Sequence, residues 1–390
     1  MDSTPEVSRE VGSHVLASGQ PDSQSVSSEE WTIGGVLQSA AVQELSQQAR
    51  ALVESTVPLV QARVDATFAG ADCEVRYVVE SHRRLIWLGD GEVRRDWCRV
   101  NLFARVNPEI TNLVLSAGLP QGSLDAPEVE RQIEVACGRL ADQVSRLSRS
   151  VNAKDWRGQV VFEPGPAGTL IHETIGHIAE ADNVRDFGLL EGGAISGLES
   201  GLVVLDAGSV PGSTGEQLDD AGRAMAAAVI FERGRHVALL GATPDDERLG
   251  LAALPRARRA DGRVDALPRM TKLIGTFEGT IIPKDDWQAL DRAPAVVHEI
   301  LWAKVDLRSR RVELNVGEIT LDFGTPDERR VFGGRISAPI DTLLSGIVAA
   351  GDRVETHAGL CDKRRQRVYV ETQAPALVHR DLVITAAGAM

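Results

Sequence analysis

Two histidines and a glutamate lie close together in the segment Gly168–Asp182. His172 is followed directly by Glu173, and His177 comes five positions after His172. The familiar zinc pattern His-Glu-x-x-His places its histidines four positions apart, on one face of a helix. At about 100° per residue, a spacing of five turns the second imidazole roughly 140° away from the first in a regular α-helix. A π turn adds one residue and would restore the common face, and Gly176 is a suitable position for it.

These residue types predict a metal-dependent hydrolase. A glutamate that follows the first histidine ligand can reach a metal-bound water and act as its general base, which assigns that role to Glu173. A catalytic zinc takes three protein ligands and leaves the fourth position to water. Two histidines therefore need a third ligand, for which Glu180 or a distant Cys, His, Asp or Glu is a candidate.

The elements before this segment predict a small N-terminal domain over residues 31–155. Residues 1–30 are rich in Ser, Gln, Glu and Gly, which predicts a disordered tail. Apolar residues then recur at helical spacing over 36–57, and Pro58 is expected to end that helix. Three strand-like segments and a second helix follow, at 73–80, 85–88, 98–106 and 127–147, with a hairpin signal at 89–91. This order is typical of an α/β-sandwich-like domain.

The remaining residues, 156–390, predict a larger β-rich domain that carries the metal-binding helix. Short β-branched segments separated by glycine turns indicate strands, and two helices are expected among them. The strands are predicted at 159–162, 201–205, 312–316 and 368–370, and the helices at 167–181 and 340–349. The fold class of the whole chain is therefore α+β.

Composition excludes several functional classes. The 390 residues carry 42 basic and 56 acidic side chains, a net charge of −14, which argues against a nucleic-acid binder. No apolar segment approaches the roughly 20 residues that cross a bilayer, and the first residues lack the pattern of a secretory signal. Four cysteines lie far apart without a Cys-x-x-Cys pair, which favours a reducing cytoplasm over a disulfide framework.

Gly168–Asp182 and three further segments together resemble the motifs of a known family. The further three are Val203–Asp206 with the Asp219-Asp220 pair after it, Pro268–Thr271 and Gly359–Gln366. In this order they are similar to the TldD/PmbA family of bacterial metallopeptidases, on its metal-bearing TldD side. The resemblance covers roughly residues 158–385.

The resemblance implies a zinc peptidase with one Zn²⁺ per chain. Its ligands would be His172, His177 and Cys361, and Glu173 would be the catalytic base. Members of the family act on unstructured or modified peptides. They work as dimers, so the resemblance implies either a homodimer or a heterodimer with a metal-free PmbA/TldE-like homologue.

Four other side chains are expected to support the ligands or contact the substrate. Glu180 would orient a histidine ligand, since such ligands need an acceptor for their second ring nitrogen. Arg269 would clamp a substrate carboxylate or form a structural salt bridge. Lys363 and Gln366 complete this set. His298 and His357 are expected to be satisfied surface or loop histidines.

The sequence departs from the family pattern beside the cysteine, and two alternative functions stay open. Asp362 and Arg365 replace family glycines, which suggests an altered cleft and a special substrate, such as a peptide-like metabolite of a specialised pathway. One alternative is a non-catalytic modulator or binding subunit. The other is a dipeptidyl-peptidase-III-like zinc peptidase, which would need a downstream glutamate-rich ligand helix that the sequence lacks.

Overall fold

The computed structural model describes residues 7–20, 23–33, 40–71, 73–88, 91–106, 126–147, 151–152, 154–189, 201–210, 213–214, 217–241, 250–290 and 293–386. The N-terminal part is a five-stranded antiparallel sheet in the order β2-β1-β3-β4-β8, with two helices packed against it. The strands are β1 (Val7–Gln20), β2 (Ser23–Ile33), β3 (Cys73–Leu88), β4 (Gly91–Val106) and β8 (Ser213–Thr214). The helices are α1 (Ala40–Thr67) and α2 (Ala126–Leu147).

The two faces of this sheet have different partners. Val79 and Val100 are fully buried and belong to the cluster that contains the apolar faces of α1 and α2. Arg84 and Arg95 point to the opposite face, because side chains alternate along a strand. Both approach Asp220 of the C-terminal part, and the nearest Arg84 nitrogen is 3.8 Å from its carboxylate. Buried ion pairs therefore join the two parts of the chain.

Helix α1 continues past Pro58, where the sequence predicts a stop. The helix runs nine residues beyond Pro58, to Thr67. A proline inside a helix removes one backbone hydrogen bond and costs about 3 kcal/mol. The residues beyond it offset that cost, because Val60 and Val64 are buried against the sheet at 0% and 4% exposure. The local helix-breaking signal is thus overridden by tertiary packing.

The prediction of a disordered tail over residues 1–30 is wrong for the residues that the structure describes there. Strands β1 and β2 form a hairpin, and β1 pairs with β3 along most of its length. Composition misses this because strands are joined by backbone hydrogen bonds, which polar and small residues make as well as apolar ones. Residues 1–6, 21–22 and 34–39 lie outside the described ranges.

The C-terminal part is built on a twelve-stranded mixed sheet. Its main path runs β10-β9-β7-β15-β21-β6-β16-β18-β19-β5, with β17 on β18 and β20 on β21. These strands are β5 (Val151–Asn152), β6 (Trp156–Phe162), β7 (Leu202–Asp206), β9 (Ala228–Glu232), β10 (Arg235–His236), β15 (Lys272–Phe277), β16 (Ala295–Val297), β17 (Ile300–Asp306), β18 (Arg311–Leu321), β19 (Arg329–Pro339), β20 (Ile347–Lys363) and β21 (Gln366–Ala386). Two small sheets pair β11 (Ala238–Leu240) with β12 (Ala252–Leu254) and β13 (Ala257–Arg258) with β14 (Leu267–Pro268).

Short helices accompany this sheet, and one of them is shorter than the sequence predicts. They are α3 (Pro164–Ile171), α4 (His177–Ala179), α5 (Ala181–Phe187) and α6 (Ile340–Ser345), with a 3₁₀ turn at Lys284–Ala289. The helix predicted over 340–349 ends at Ser345, because Gly346 follows and Ile347 already begins β20. Within the described ranges, no helix is long and apolar enough to cross a membrane.

Two elements of the C-terminal part bring the predicted site residues together. Strand β6 leads through Glu163 into α3, which packs against β20 and β21 and continues toward His172 and His177. Strands β20 and β21 form a long hairpin with Cys361 three residues before its two-residue turn. The helix and the hairpin tip meet over the buried core of the sheet.

Candidate metal centre

The helix with the two histidines contains the π turn that their spacing predicts. The turn spans His172–Gly176, and the backbone N–H of His177 donates to the carbonyl of His172, five residues back. The two imidazole rings lie with their centroids 4.8 Å apart. One extra residue in the helix therefore brings both rings to the same side, as a shared metal requires.

Gly176 is the last residue of the π turn, and the space around it has no room for a side chain. Its backbone is ordinary right-handed helix, with φ of −60°. A Cβ built at this position would lie 2.1 Å from Sδ of Met270 and 3.0 Å from Cδ1 of Leu273. Glycine thus allows the metal helix to approach Met270 and strand β15 closely.

Cys361 completes a set of three donors with the two histidines. Its Sγ lies 3.5 Å from Nε2 of His177, and the donor atoms of His172, His177 and Cys361 all lie within 4.8 Å of one another. In a tetrahedral zinc site, bonds of about 2.1 and 2.3 Å place a nitrogen and a sulfur about 3.6 Å apart. The side chains present therefore fit a zinc-sized ion, although they come from positions 184 residues apart.

The charges around Cys361 favour the thiolate. Burial would raise the pKa of the thiol, but His177 and His172 beside it hold that pKa well below its ordinary value. Burial would likewise lower the pKa of His177, but Cys361 and Glu180 raise that pKa well above its usual range. Thiolate is the form of cysteine that binds metals, so these contacts favour the metal-binding form.

Glu180 contacts the Nδ1 side of the His177 ring. Its Oε2 lies 2.9 Å from Nδ1 of His177, on the side of the ring away from Cys361, and also accepts from Asn183 and Lys363 at 2.9 Å each. Burial would raise the pKa of this carboxyl, but His177, Lys363 and Arg269 lower it to about 2. The geometry places Glu180 as the acceptor that directs Nε2 of His177 toward the donor cluster.

Three of the remaining site candidates hold the hairpin tip in place. Lys363 also donates to Asp182 at 2.6 Å. Arg269 donates to the backbone carbonyls of Cys361 and Gln366, at 2.6 and 3.2 Å. The Gln366 side chain bonds backbone groups of the loop that includes residues 260–265. Arg269 is only 1% exposed, so a structural role fits its position and a substrate clamp does not.

The Arg-Met-Thr sequence at 269–271 links the hairpin, the metal helix and strand β7. Arg269 fixes the Cys361 backbone, and Met270 fills the space beside Gly176. Thr271 donates through both its N–H and its hydroxyl to the fully buried Asp206, at 2.8 and 2.6 Å. The sequence marks these residues as a motif, but the contact that each of them makes is visible only in the structure.

Glu173 lies in the π turn, directly after His172. The residue is 8% exposed, and within the described ranges its carboxylate makes no hydrogen bond or ion pair. A cavity of about 810 Å³ extends from Thr169 and Leu360, neighbours of the donor cluster, to the polar face of α2. Within the described ranges the Glu173 carboxylate is thus without a protein partner, and a cleft opens near the donor cluster.

His298 and His357, both expected from the sequence to be satisfied, differ from each other. His298 is satisfied as expected, with Nδ1 2.9 Å from Glu163 and Nε2 2.8 Å from the hydroxyl of Thr320. His357 lines the cavity on β20 and is exposed, and no hydrogen bond to it is found within the described residues.

Sequence comparison identifies the C-terminal part. Residues 156–386 match the PmbA/TldA metallopeptidase C-terminal domain. A protein named "Metalloprotease" from Methanothermobacter thermautotrophicus is 26% identical over 268 residues. That alignment covers 66% of this chain and 56% of the relative, so the chain spans about half the length of the curated relative it matches.

Structural comparison extends the likeness to nearly the whole chain. TldE from Thermococcus kodakarensis superposes with a TM-score of 0.63 at 11% identity, covering 97% of this chain and 96% of that one. Two proteins named as modulators of DNA gyrase are similar, from Thermotoga maritima (TM-score 0.61, 13% identity, 97% and 95% covered) and Bacteroides thetaiotaomicron (0.64, 11%, 97% and 93%). These likenesses show the α+β fold, and the match over 156–386 spans more than half of the sequence. The chain therefore belongs to the PmbA/TldD metallopeptidase family.

Proposed function

We propose that this protein is a zinc-dependent peptidase that hydrolyses amide bonds in unstructured or modified peptides. His172, His177 and Cys361 would hold the metal, and Glu173 would be the general base. The observation that supports this most directly is the donor set itself, three metal-binding atoms within 4.8 Å of one another beside an uncommitted carboxylate.

The donor chemistry supports zinc over other divalent ions. Two imidazoles and a thiolate are borderline and soft donors, whereas magnesium and calcium select oxygen. Three protein ligands leave one tetrahedral position open, which is typical of catalytic rather than structural sites. A zinc ion held there would polarise the substrate carbonyl and lower the pKa of a water molecule.

Glu173 would take the proton from that water. It follows His172 directly in the π turn, and no neighbouring cation within the described ranges neutralises its carboxylate. A free carboxylate can accept a proton and return it to the leaving amine. Glu180, itself held by Lys363, would keep His177 in one orientation.

The cleft suits an extended peptide. Within the described ranges, β20 pairs with β21 and, through Ala350 alone, with Ile281, so the outer edge of residues 352–360 is open. This edge lines the cavity and runs to Cys361. An open edge can bind an extended chain through main-chain hydrogen bonds, which favours unstructured peptides of varied sequence. A peptide-like metabolite of a specialised pathway would also fit such a cleft.

We further propose a cytoplasmic dimer. All four cysteines are free, and a thiolate ligand is best preserved in a reducing compartment. A second subunit would enclose the open cleft and keep folded proteins away from the site. A homodimer is favoured over a heterodimer with a metal-free homologue, because this chain has a complete donor set. Light scattering that shows only an inactive 41.9 kDa monomer would favour the heterodimer.

Glu173→Gln tests the activity. The variant should keep stoichiometric zinc by elemental analysis and lose hydrolysis of unfolded peptides, because glutamine preserves shape but cannot take the water's proton. Glu134→Gln, the same change on the exposed face of α2, should retain both properties. Near wild-type turnover by Glu173→Gln would reject the base assignment. A wild-type chain that binds no metal would leave the non-catalytic subunit as the better description.

A further inference from the structure

A buried histidine from another element contacts the π turn. His236, on β10, is 5% exposed and lies 61 positions from Ile175 in the sequence. Its Nε2 is 3.1 Å from the carbonyl oxygen of Ile175, the fourth residue of the turn. Ile175 stands between Glu173 and His177, so this contact acts on the backbone that carries both.

The chemistry of the contact fixes the state of the imidazole. A backbone carbonyl only accepts hydrogen bonds, so Nε2 of His236 must carry the proton. Its Nδ1 is buried and has no hydrogen-bond partner within the described ranges, and burial lowers the pKa of the ring to about 4. The ring of Phe231 packs edge-on against it, with centroids 5.2 Å apart. At neutral pH His236 is therefore a neutral, single-tautomer donor held in one orientation.

This arrangement is costly for a core position. A buried nitrogen without a partner loses its hydrogen bonds to water, typically about 1–3 kcal/mol. An apolar side chain at 236 would avoid that cost and would suit the neighbouring Phe231 and Ile230, both fully buried. Local rules of packing are most often broken where function requires it. The group that gains from the imidazole is the π turn.

We propose that His236 is a positioning residue of the metal centre, holding the π turn so that His172 and His177 face one ion. Met270 and, on β15, Leu273 lie close to Gly176, so the turn is in contact with β15 as well as with the β9–β10 hairpin. The inference rests on the proposed metal site and adds a residue that binds neither metal nor substrate.

Two nearly isosteric variants separate the hydrogen bond from packing. His236→Gln keeps an N–H donor, whereas His236→Met has a similar volume and none. Zinc affinity would be measured by competition with a chromophoric chelator, and ligand geometry by the visible spectrum of the cobalt(II)-substituted protein. His236→Met should bind zinc at least about tenfold more weakly, with an altered cobalt spectrum, since support of a ligand's orientation typically accounts for 10–100-fold in affinity. His236→Gln should recover most of the affinity and the wild-type spectrum.

His379 provides the matched control. It is also buried, at 1% exposure, and its Nε2 lies 3.0 Å from a backbone carbonyl, that of Thr342, which belongs to α6 and not to the metal helix. His379→Met should lower the melting temperature and leave zinc affinity and the cobalt spectrum unchanged. Equal affinity and identical spectra for wild type and His236→Met would overturn the inference. A wild type that binds neither ion would instead overturn the proposed function.

A measurement on the unmodified protein covers the case in which His236→Met does not fold. Nitrogen-15 NMR of the histidine rings distinguishes the two neutral tautomers. His236 should be neutral at pH 7 with its proton on Nε2, in slow exchange with solvent. A proton on Nδ1, or a charged ring, would contradict the hydrogen bond to Ile175 and with it the positioning role.

Discussion

Gly176→Ala tests whether the close approach of Met270 and the metal helix is needed. In an open helix the change would stabilise the protein by about 1 kcal/mol, because alanine has the higher helix propensity. Here the new methyl group would lie 2.1 Å from Sδ of Met270, a distance that real Cβ contacts essentially never show. Met270 is 1% exposed, so its side chain would have to retreat by more than an ångström within a filled core.

The expected result is a net loss. Overpacking of this kind costs about 1–3 kcal/mol, and flexible methionine absorbs part of it. After the propensity gain we expect the free energy of unfolding to fall by up to about 2 kcal/mol. The π turn is the other group that can move, so zinc affinity should fall as well, since a shifted turn separates His172 from His177.

Urea unfolding of the metal-free protein and zinc competition titrations measure the two effects separately. Gly138→Ala is the control, because Gly138 lies inside α2 and a Cβ there would meet no atom within 4 Å. That variant should gain up to about 1 kcal/mol and leave zinc affinity unchanged. Met270→Ala, combined with Gly176→Ala, should cost less than the sum of the two single changes. A Gly176→Ala protein more stable than wild type, with full zinc affinity, would refute the packing argument.

Three further variants address the donor set, the hairpin and the start of the metal helix. Cys361→Ala should lower zinc affinity by orders of magnitude while Cys98→Ala, a buried cysteine of β4, leaves it unchanged; equal affinities would make Glu180 the leading third ligand. Arg365→Gly should raise the free energy of unfolding by about 0.5–1 kcal/mol, because φ of 64° there favours glycine; no gain in a urea titration would show that the turn is unstrained. Burial would raise the pKa of Glu163, but His298 and Lys284 lower it from 4.5 to about 2. The ionised Glu163 should therefore stabilise the protein above pH 4.5 and lose that effect as pH falls toward 2. The stability difference between wild type and Glu163→Gln, at most about 3 kcal/mol, should therefore shrink over that interval, and a constant difference would contradict it.

The local part of the metal centre could be predicted from the sequence. The i, i+5 spacing of His172 and His177 is compatible with one metal only if the helix widens by a residue, and the structure contains that π turn. Spacing within one helix determines relative direction, because the geometry of a helix is nearly constant. The helix end predicted at Pro58, in contrast, is wrong, because the cost of a proline is local and the burial that offsets it is not.

The long-range part could not be predicted from residue spacing. Nothing within the sequence around His236 signals a contact with Ile175, since the two meet only after β9, β10 and the metal helix have packed together. Cys361 lies 184 positions after His177, and it was assigned through a resemblance rather than through geometry. Such long-range contacts depend on the order of the strands in the sheet, and the same local sequence patterns are compatible with many different strand orders.

The arginine at a family glycine position shows how a substitution can keep a backbone and change its surface. Lys363 pairs with Gln366, so Arg364 and Arg365 form a two-residue turn, and both have positive φ, 49° and 64°. This is the pattern of a type I′ turn, for which glycine is preferred. The turn keeps the conformation that glycine would favour, and Arg364 adds an ion pair with Asp186 at 2.6 Å. The hairpin that presents Cys361 is therefore tied to α5 by Arg364, at a position that the family pattern leaves variable, whereas Arg365, at the glycine position, adds an exposed cation to the turn.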